Sequence, residues 1–201
     1  MVHDVTVEGL AEAVTQVERA ALELASAEVD VILHAGTAIA FFRGFGHDAD
    51  MSRRITAATG IKSTTSLTAV VAALNELGIR RPAIATSYIA DIDARLAGVL
   101  KESGFEVAAI RGMGLKRSPD MGRVQPAETY RLAREVARSA PAADGIFISC
   151  GNLRTFEAIE PLESDTGLPV VTSNQAGLWH ALRLAGISER LAGLGCLLRD
   201  H

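Results

Sequence analysis

The sequence predicts an α/β fold built on parallel sheet. Three observations carry this. Short apolar, β-branched runs alternate with longer stretches of helical periodicity along the chain. The runs lack polar alternation, as strands covered on both faces do. A stretch of the first half also recurs in the second: TGIKSTTSLTAVVAALNELGI (59–79) aligns with TGLPVVTSNQAGLWHALRLAGI (166–187) with one gap.

From the N-terminus, Leu10, Val14, Val17, Ala21 and Leu24 recur at helical spacing, which predicts one amphipathic helix over about 7–27. VDVILHAG (29–36) reads as a buried strand. Helices are expected at about 47–58 and 65–77, then a strand at 83–87, a helix at 90–103 and a strand at 105–110. The Gly- and Pro-bearing stretch 111–126 reads as a long loop. A helix at 127–139, a strand at 145–150, a helix from about 153 to 163, a strand at 169–173 and a helix at 175–185 complete the series. The repeat divides the single unit 1–201 into related halves, approximately 29–80 plus 175–201, and 81–174. Halves packed about a pseudo-twofold axis would turn their strand ends toward one cleft.

Composition narrows the function. The chain has 201 residues, 48% hydrophobic and 22% charged, so it is globular. A net charge of -4 argues against a nucleic-acid or anionic-membrane partner. No apolar run reaches the roughly 18 residues of a membrane span. MVHDVTVEGLAEA lacks a basic start followed by an apolar stretch, so a cytoplasmic location is expected. Two cysteines, Cys150 and Cys196, are too few for a disulfide scaffold or a thiolate metal site. No nucleotide fingerprint is present, because GFGHD lacks the third glycine and GMGLKRS does not match either.

In parallel α/β sheets ligands bind at the carboxyl ends of strands. Here those ends are His34-Ala35-Gly36-Thr37, Thr86-Ser87-Tyr88, Ser149-Cys150-Gly151-Asn152 and Thr172-Ser173-Asn174. They are rich in hydroxyl and amide groups and hold no cationic cluster, which suits a small anion bound by backbone N–H groups and hydroxyls. Cys150 is set among Ser149, Gly151 and Asn152, where a strand is expected to meet a helix start that would favour a thiolate. Cys196, within LAGLGCLLRD, reads as packing. His180 falls mid-helix and reads as surface or packing.

The segments ILHAGTAIAFFRG, IATSYIADIDARL, DGIFISCGNLRTFEAIE and TGLPVVTSNQAGLWHALRLAG resemble, in that order, the aspartate/glutamate racemase superfamily. The branch they resemble most holds the arylmalonate decarboxylases and maleate cis-trans isomerases, and the resemblance runs from about Val5 to Gly186. It implies two pseudo-symmetric α/β halves with the site between them and no metal or organic cofactor. The family normally opens with a strand and a Pro-rich or Asn-bearing loop, so by resemblance this chain lacks that first strand. Racemases of the superfamily place one cysteine on each face of the substrate. Gly36 stands at the first-half position, leaving Cys150 alone, as in decarboxylases that protonate an enediolate from one side.

The resemblance thus implies Cys150 as proton donor. Gly36, Thr37, Ala38, Tyr88, Gly151 and Asn152 would form the oxyanion and substrate-binding set, and Ile39 and Met121 would line the pocket. The implied partner is a small dicarboxylic or 2-aryl- or 2-alkyl-carboxylic acid, processed by a malonate-type decarboxylase. Alternatives are maleate-like cis-trans isomerisation through a Cys150 adduct, racemisation of an amino acid or hydantoin, and a non-catalytic small-acid binding module. The resemblance assigns His34 no role.

Overall fold

The computed structural model describes residues 4–201. Its elements are α1 (Val7–Val14), α2 (Val17–Ala25), β1 (Val31–His34), α3 (Thr37–Phe41), α4 (His47–Thr59), β2 (Lys62–Thr65), α5 (Ser66–Glu76), β3 (Pro82–Thr86), α6 (Ala90–Glu102) and β4 (Ala109–Gly112). These are followed by α7 (Ser118–Arg123), α8 (Pro126–Ser139), β5 (Gly145–Ser149), α9 (Phe156–Thr166), β6 (Val170–Thr172), α10 (Ser173–Leu184) and α11 (Cys196–Asp200). The α/β class with parallel sheet is therefore correct. All pairings between these strands are parallel, in a two-stranded sheet β1-β2 and a four-stranded sheet β4-β3-β5-β6.

β3 and β5 are buried along their whole length, as their unbroken apolar runs require. Register brings the strand ends level: Thr86 pairs with both Ser149 and Gly112, and His34 with Thr65. The two aligned segments of the repeat end in equivalent structures. Thr65 and Thr172 each cap the following helix, accepting from the Thr68 and Gln175 N–H groups. The two helices so capped, α5 and α10, pack against each other.

Several sequence expectations need correction. The first helix is broken at Thr15-Gln16, where both backbone N–H groups turn to carbonyls three residues back and the Thr15 hydroxyl caps the Glu12 carbonyl. The strand expected at 105–110 begins only at Ala109, because Phe105 still closes the end of α6 through the Leu100 carbonyl. The supposed loop 111–126 contains the end of β4 and all of α7, with a proline in the helix's first turn, where it costs no hydrogen bond. The helix expected from about 153 starts at Phe156, so Cys150 is followed by a turn and not by a helix start. α3, β2 and α11 were not expected. β2, sequence KSTT, hides because it buries threonines and not aliphatic side chains. No helix among the described residues is long and apolar enough to cross a membrane.

Candidate active site

One cavity of about 600 Å³ opens at the strand ends. This volume fits a small-molecule site. Its lining comes from both sheets: Ala35, Gly36, Thr37, Ala38 and Ile39 follow β1, Tyr88 follows β3, and Cys150, Gly151 and Asn152 follow β5. Val5, Leu10, Ser118, Pro119 and Gly122 complete it. The structure thus brings together Cys150, Gly36, Thr37, Ala38, Tyr88, Gly151, Asn152 and Ile39. Met121 sits behind this lining, fully buried, with its sulfur 3.8 Å from Cys150 Sγ.

Among the described residues, no lining side chain carries a formal charge. Lys116 and Arg117 lie just outside the lining and are exposed, and Arg117 faces Asp120. A polar atom of the site remains unpaired. The Thr37 hydroxyl, which lines the cavity, is buried without a hydrogen-bond partner, whereas the buried Ser87 hydroxyl lies outside the lining and faces the Cys150 thiol. Such an unpaired group costs about 1–3 kcal/mol unless something fills it. In α3 the first intrahelical bond runs from Ala40 N–H to the Gly36 carbonyl, so the helix itself makes no use of the Thr37, Ala38 and Ile39 N–H groups.

Cys150 is 4% exposed, and its φ of 151° is a conformation that L-residues rarely adopt. Burial pushes its thiol above the usual range, against weaker help from Ser87 and from the backbone around Asn152 and Leu153. The group is therefore a protonated thiol at neutral pH. The thiolate expected from a helix start is corrected with the helix boundary. The Asn152 N–H points at Sγ from 3.4 Å. Burial, with the neighbouring Cys150, raises the Tyr88 phenol well above its ordinary value, so it stays a hydrogen-bond donor. Ser149 Oγ donates to the Tyr88 hydroxyl at 3.4 Å.

Residues not singled out from sequence hold this arrangement. Asp93, buried on α6, accepts from Thr86 Oγ1 at 2.5 Å, and Thr86 Oγ1 accepts from the Tyr88 N–H at 3.0 Å. The only available signal was an acid beside Ile92 on an otherwise apolar helix face. The Thr86, Ser87 and Tyr88 carbonyls accept from the Met113, Leu115 and Gly114 N–H groups, which staples this turn to the chain after β4. Val5, hydrogen-bonded through its N–H to the Lys116 carbonyl, and Leu10 reach the cavity from the N-terminal segment. His34 Cε1 lies 2.8 Å from where a Cβ at Gly36 would be, and burial lowers its imidazole to about 4, so it is neutral. His180 is half-buried, bonded through Nδ1 to Thr64 Oγ1 at 2.8 Å, which fits packing. Cys196 lies outside the cavity, with its thiol pushed up to about 12 by burial and Glu163.

Burial raises the Asp93 carboxyl above its ordinary 3.8. A folded value above the unfolded one means stability that is complete below the ordinary value and falls as pH rises through the folded value. Asp93→Asn removes that loss while keeping an acceptor for Thr86. Its melting temperature relative to wild type is expected to be higher at pH 7 than at pH 4. Thermal denaturation at the two pH values checks this.

The arylmalonate decarboxylase family model matches residues 1–198. The chain belongs to the arylmalonate decarboxylase family. It is 39% identical over 182 residues to the arylmalonate decarboxylase of Bordetella bronchiseptica, covering 90% of this chain and 76% of that protein. It is 28% identical over 204 residues to the maleate isomerase of Nocardia farcinica, covering 98% of this chain and 80% of that one. Among solved structures it superposes with a TM-score of 0.96 and 36% identity on a liganded arylmalonate decarboxylase double mutant, in which a glycine has become cysteine and a cysteine serine. That match covers 100% of this chain and 86% of the other. A cysteine-to-serine mutant of the Nocardia farcinica maleate cis-trans isomerase, with a covalently bound succinylcysteine intermediate, matches at TM-score 0.95 and 25% identity. It is covered to 83%, and this chain to 100%. By family this chain is an arylmalonate decarboxylase-like lyase.

Proposed function

We propose that this enzyme decarboxylates a small malonate-type dicarboxylic acid without a cofactor, through an enediolate protonated by Cys150. The observation that carries the reading is the single protonated thiol in an uncharged cavity that also holds the unpaired Thr37 hydroxyl. One carboxylate leaves as CO₂, and the electron pair of the broken C–C bond passes into the enediolate of the other. Donors aimed at that developing charge, each worth a few kcal/mol, are the Thr37 and Tyr88 hydroxyls and the N–H groups of Ala38, Gly151 and Asn152. The Cys150 S–H proton then bonds to the α-carbon, and solvent reprotonates the thiolate.

The matching caps of α5 and α10 support reading the chain as two related halves, 29–80 plus 175–201 and 81–174, with Gly36 facing Cys150 across the cleft. Gly36 offers no second acid, so proton delivery is one-sided. Val5, Leu10, Ile39 and Pro119 give the cavity apolar wall for an aryl or alkyl substituent.

A second reading is cis-trans isomerisation of a maleate-like diacid, favoured by the succinylcysteine adduct of the isomerase relative. It needs a nucleophilic thiolate, which the burial of Cys150 opposes. Incubation with an aryl-methyl malonate and with maleate, followed by NMR, separates the two. CO₂ release and a 2-arylpropionate are expected from the first, and no fumarate from the second. Fumarate without CO₂ release reverses the assignment, and silence on both with ligand-induced thermal stabilisation makes the protein a binding module.

A further inference from the structure

We infer that Asn174 is a positioning residue that aims the Asn152 N–H into the site and holds the strained Cys150 turn, an inference that rests on the Cys150 reading above. Asn174 belongs to α10, and its Nδ2 donates to the Gly151 carbonyl at 3.2 Å and to the Leu153 carbonyl at 3.3 Å. In a trans peptide the C=O and N–H point in opposite directions. Holding the Gly151 carbonyl on the α10 side therefore turns the Asn152 N–H the other way, where it meets Cys150 Sγ at 3.4 Å beside the cavity.

The turn needs such a hold. Cys150 has a φ of 151°, a conformation that costs on the order of 1–3 kcal/mol and persists only when its surroundings impose it. The preceding residue of α10 also takes part, since the Cys150 N–H reaches Ser173 Oγ at 3.4 Å. Gly151 is pressed from the other side, where a Cβ would lie 2.8 Å from the Ala35 carbonyl oxygen. Asn174 thus links the β6–α10 junction to the donors and the acid that the reaction uses, without itself lining the cavity.

Two variants test this. Asn174→Ala removes both hydrogen bonds, and Asn174→Asp keeps the shape but sets a carboxylate against two carbonyls. With an aryl-methyl malonate, both are expected to lose kcat by about 10- to 100-fold while KM changes by less than about threefold, because a misaimed donor costs the transition state more than the ground state. Iodoacetamide alkylation of Cys150 across pH, read by peptide mass spectrometry, supplies a readout independent of turnover. Tyr88 is the titratable side chain that faces the thiol. In Asn174→Asp the half-maximal pH is expected to rise by roughly half a unit or more, because a donor to the thiolate is misaligned and a negative charge added.

Unchanged kcat with an unchanged alkylation curve overturns the inference. So does activity lost only in step with the thermal midpoint in both variants, which would make Asn174 structural. Should the wild type turn over no malonate, the decarboxylase reading fails by itself, and the alkylation curve alone decides the role of Asn174.

Discussion

Cys150→Ser is expected to lower kcat for decarboxylation by about 100- to 10,000-fold, the usual worth of a positioned general acid. KM should stay within a few-fold of wild type. The reasoning starts from burial: Cys150 is 4% exposed and its thiol is pushed above the usual range, so it holds its proton until a carbanion accepts it. Serine is nearly the same size but a far weaker acid, so the cavity should keep its shape and lose its donor. Steady-state kinetics with a thermal melt of the same preparation checks this. Turnover that survives unchanged would remove Cys150 from the mechanism.

Gly112→Ala is expected to have the second largest effect, although Gly112 does not line the cavity. It ends β4 in register with Thr86. A Cβ there would run into the Tyr88 carbonyl oxygen and come within 2.5 Å of Asp93 Oδ2 and 2.9 Å of Thr86 Oγ1. Thr86 Oγ1 is the centre of the relay that orients the Tyr88 backbone, Oδ2 is the other oxygen of the Asp93 carboxylate that accepts from it, and the third atom belongs to Tyr88 itself. All three are backbone or tightly held side-chain atoms, so relief must come from moving strands. Overpacking of this kind costs typically 1–3 kcal/mol, with more where polar partners separate. A fall of several degrees in melting temperature is expected, and a drop in kcat larger than that loss of folded protein explains. Gly122→Ala is the control. It lines the same cavity, but a Cβ there meets nothing within 4 Å.

The strand-end residues were legible in the sequence for a physical reason. Buried parallel strands must be apolar throughout, so the point where VILH gives way to Ala35-Gly36-Thr37, or IFIS to Cys150-Gly151, marks the sheet edge where ligands bind. What the sequence concealed depends on contacts distant in the chain. β2 is built from Lys62, Ser63, Thr64 and Thr65 and shows no apolar run, since its buried threonines are satisfied by hydroxyl bonds such as that between Thr64 and His180. Ser87 and Asn174 lie in strand-end segments that stood out, yet only tertiary geometry sets one near the thiol and the other behind the Cys150 turn. Asp93 was hidden because a lone acid on a helix ordinarily faces water. The thiolate expectation failed for a related reason: it depended on a helix boundary three residues from its true place, and burial then decided the thiol's state.

The central claim is one-sided protonation by a single thiol, with Gly36 offering nothing opposite. The most direct measurement is decarboxylation of a prochiral aryl-methyl malonate in D₂O, with NMR and chiral separation of the product. The account predicts one deuteron at the α-carbon and a large excess of one enantiomer. A product that is deuterated but racemic would contradict it, because protonation from both faces requires a second donor or release of the enediolate to solvent.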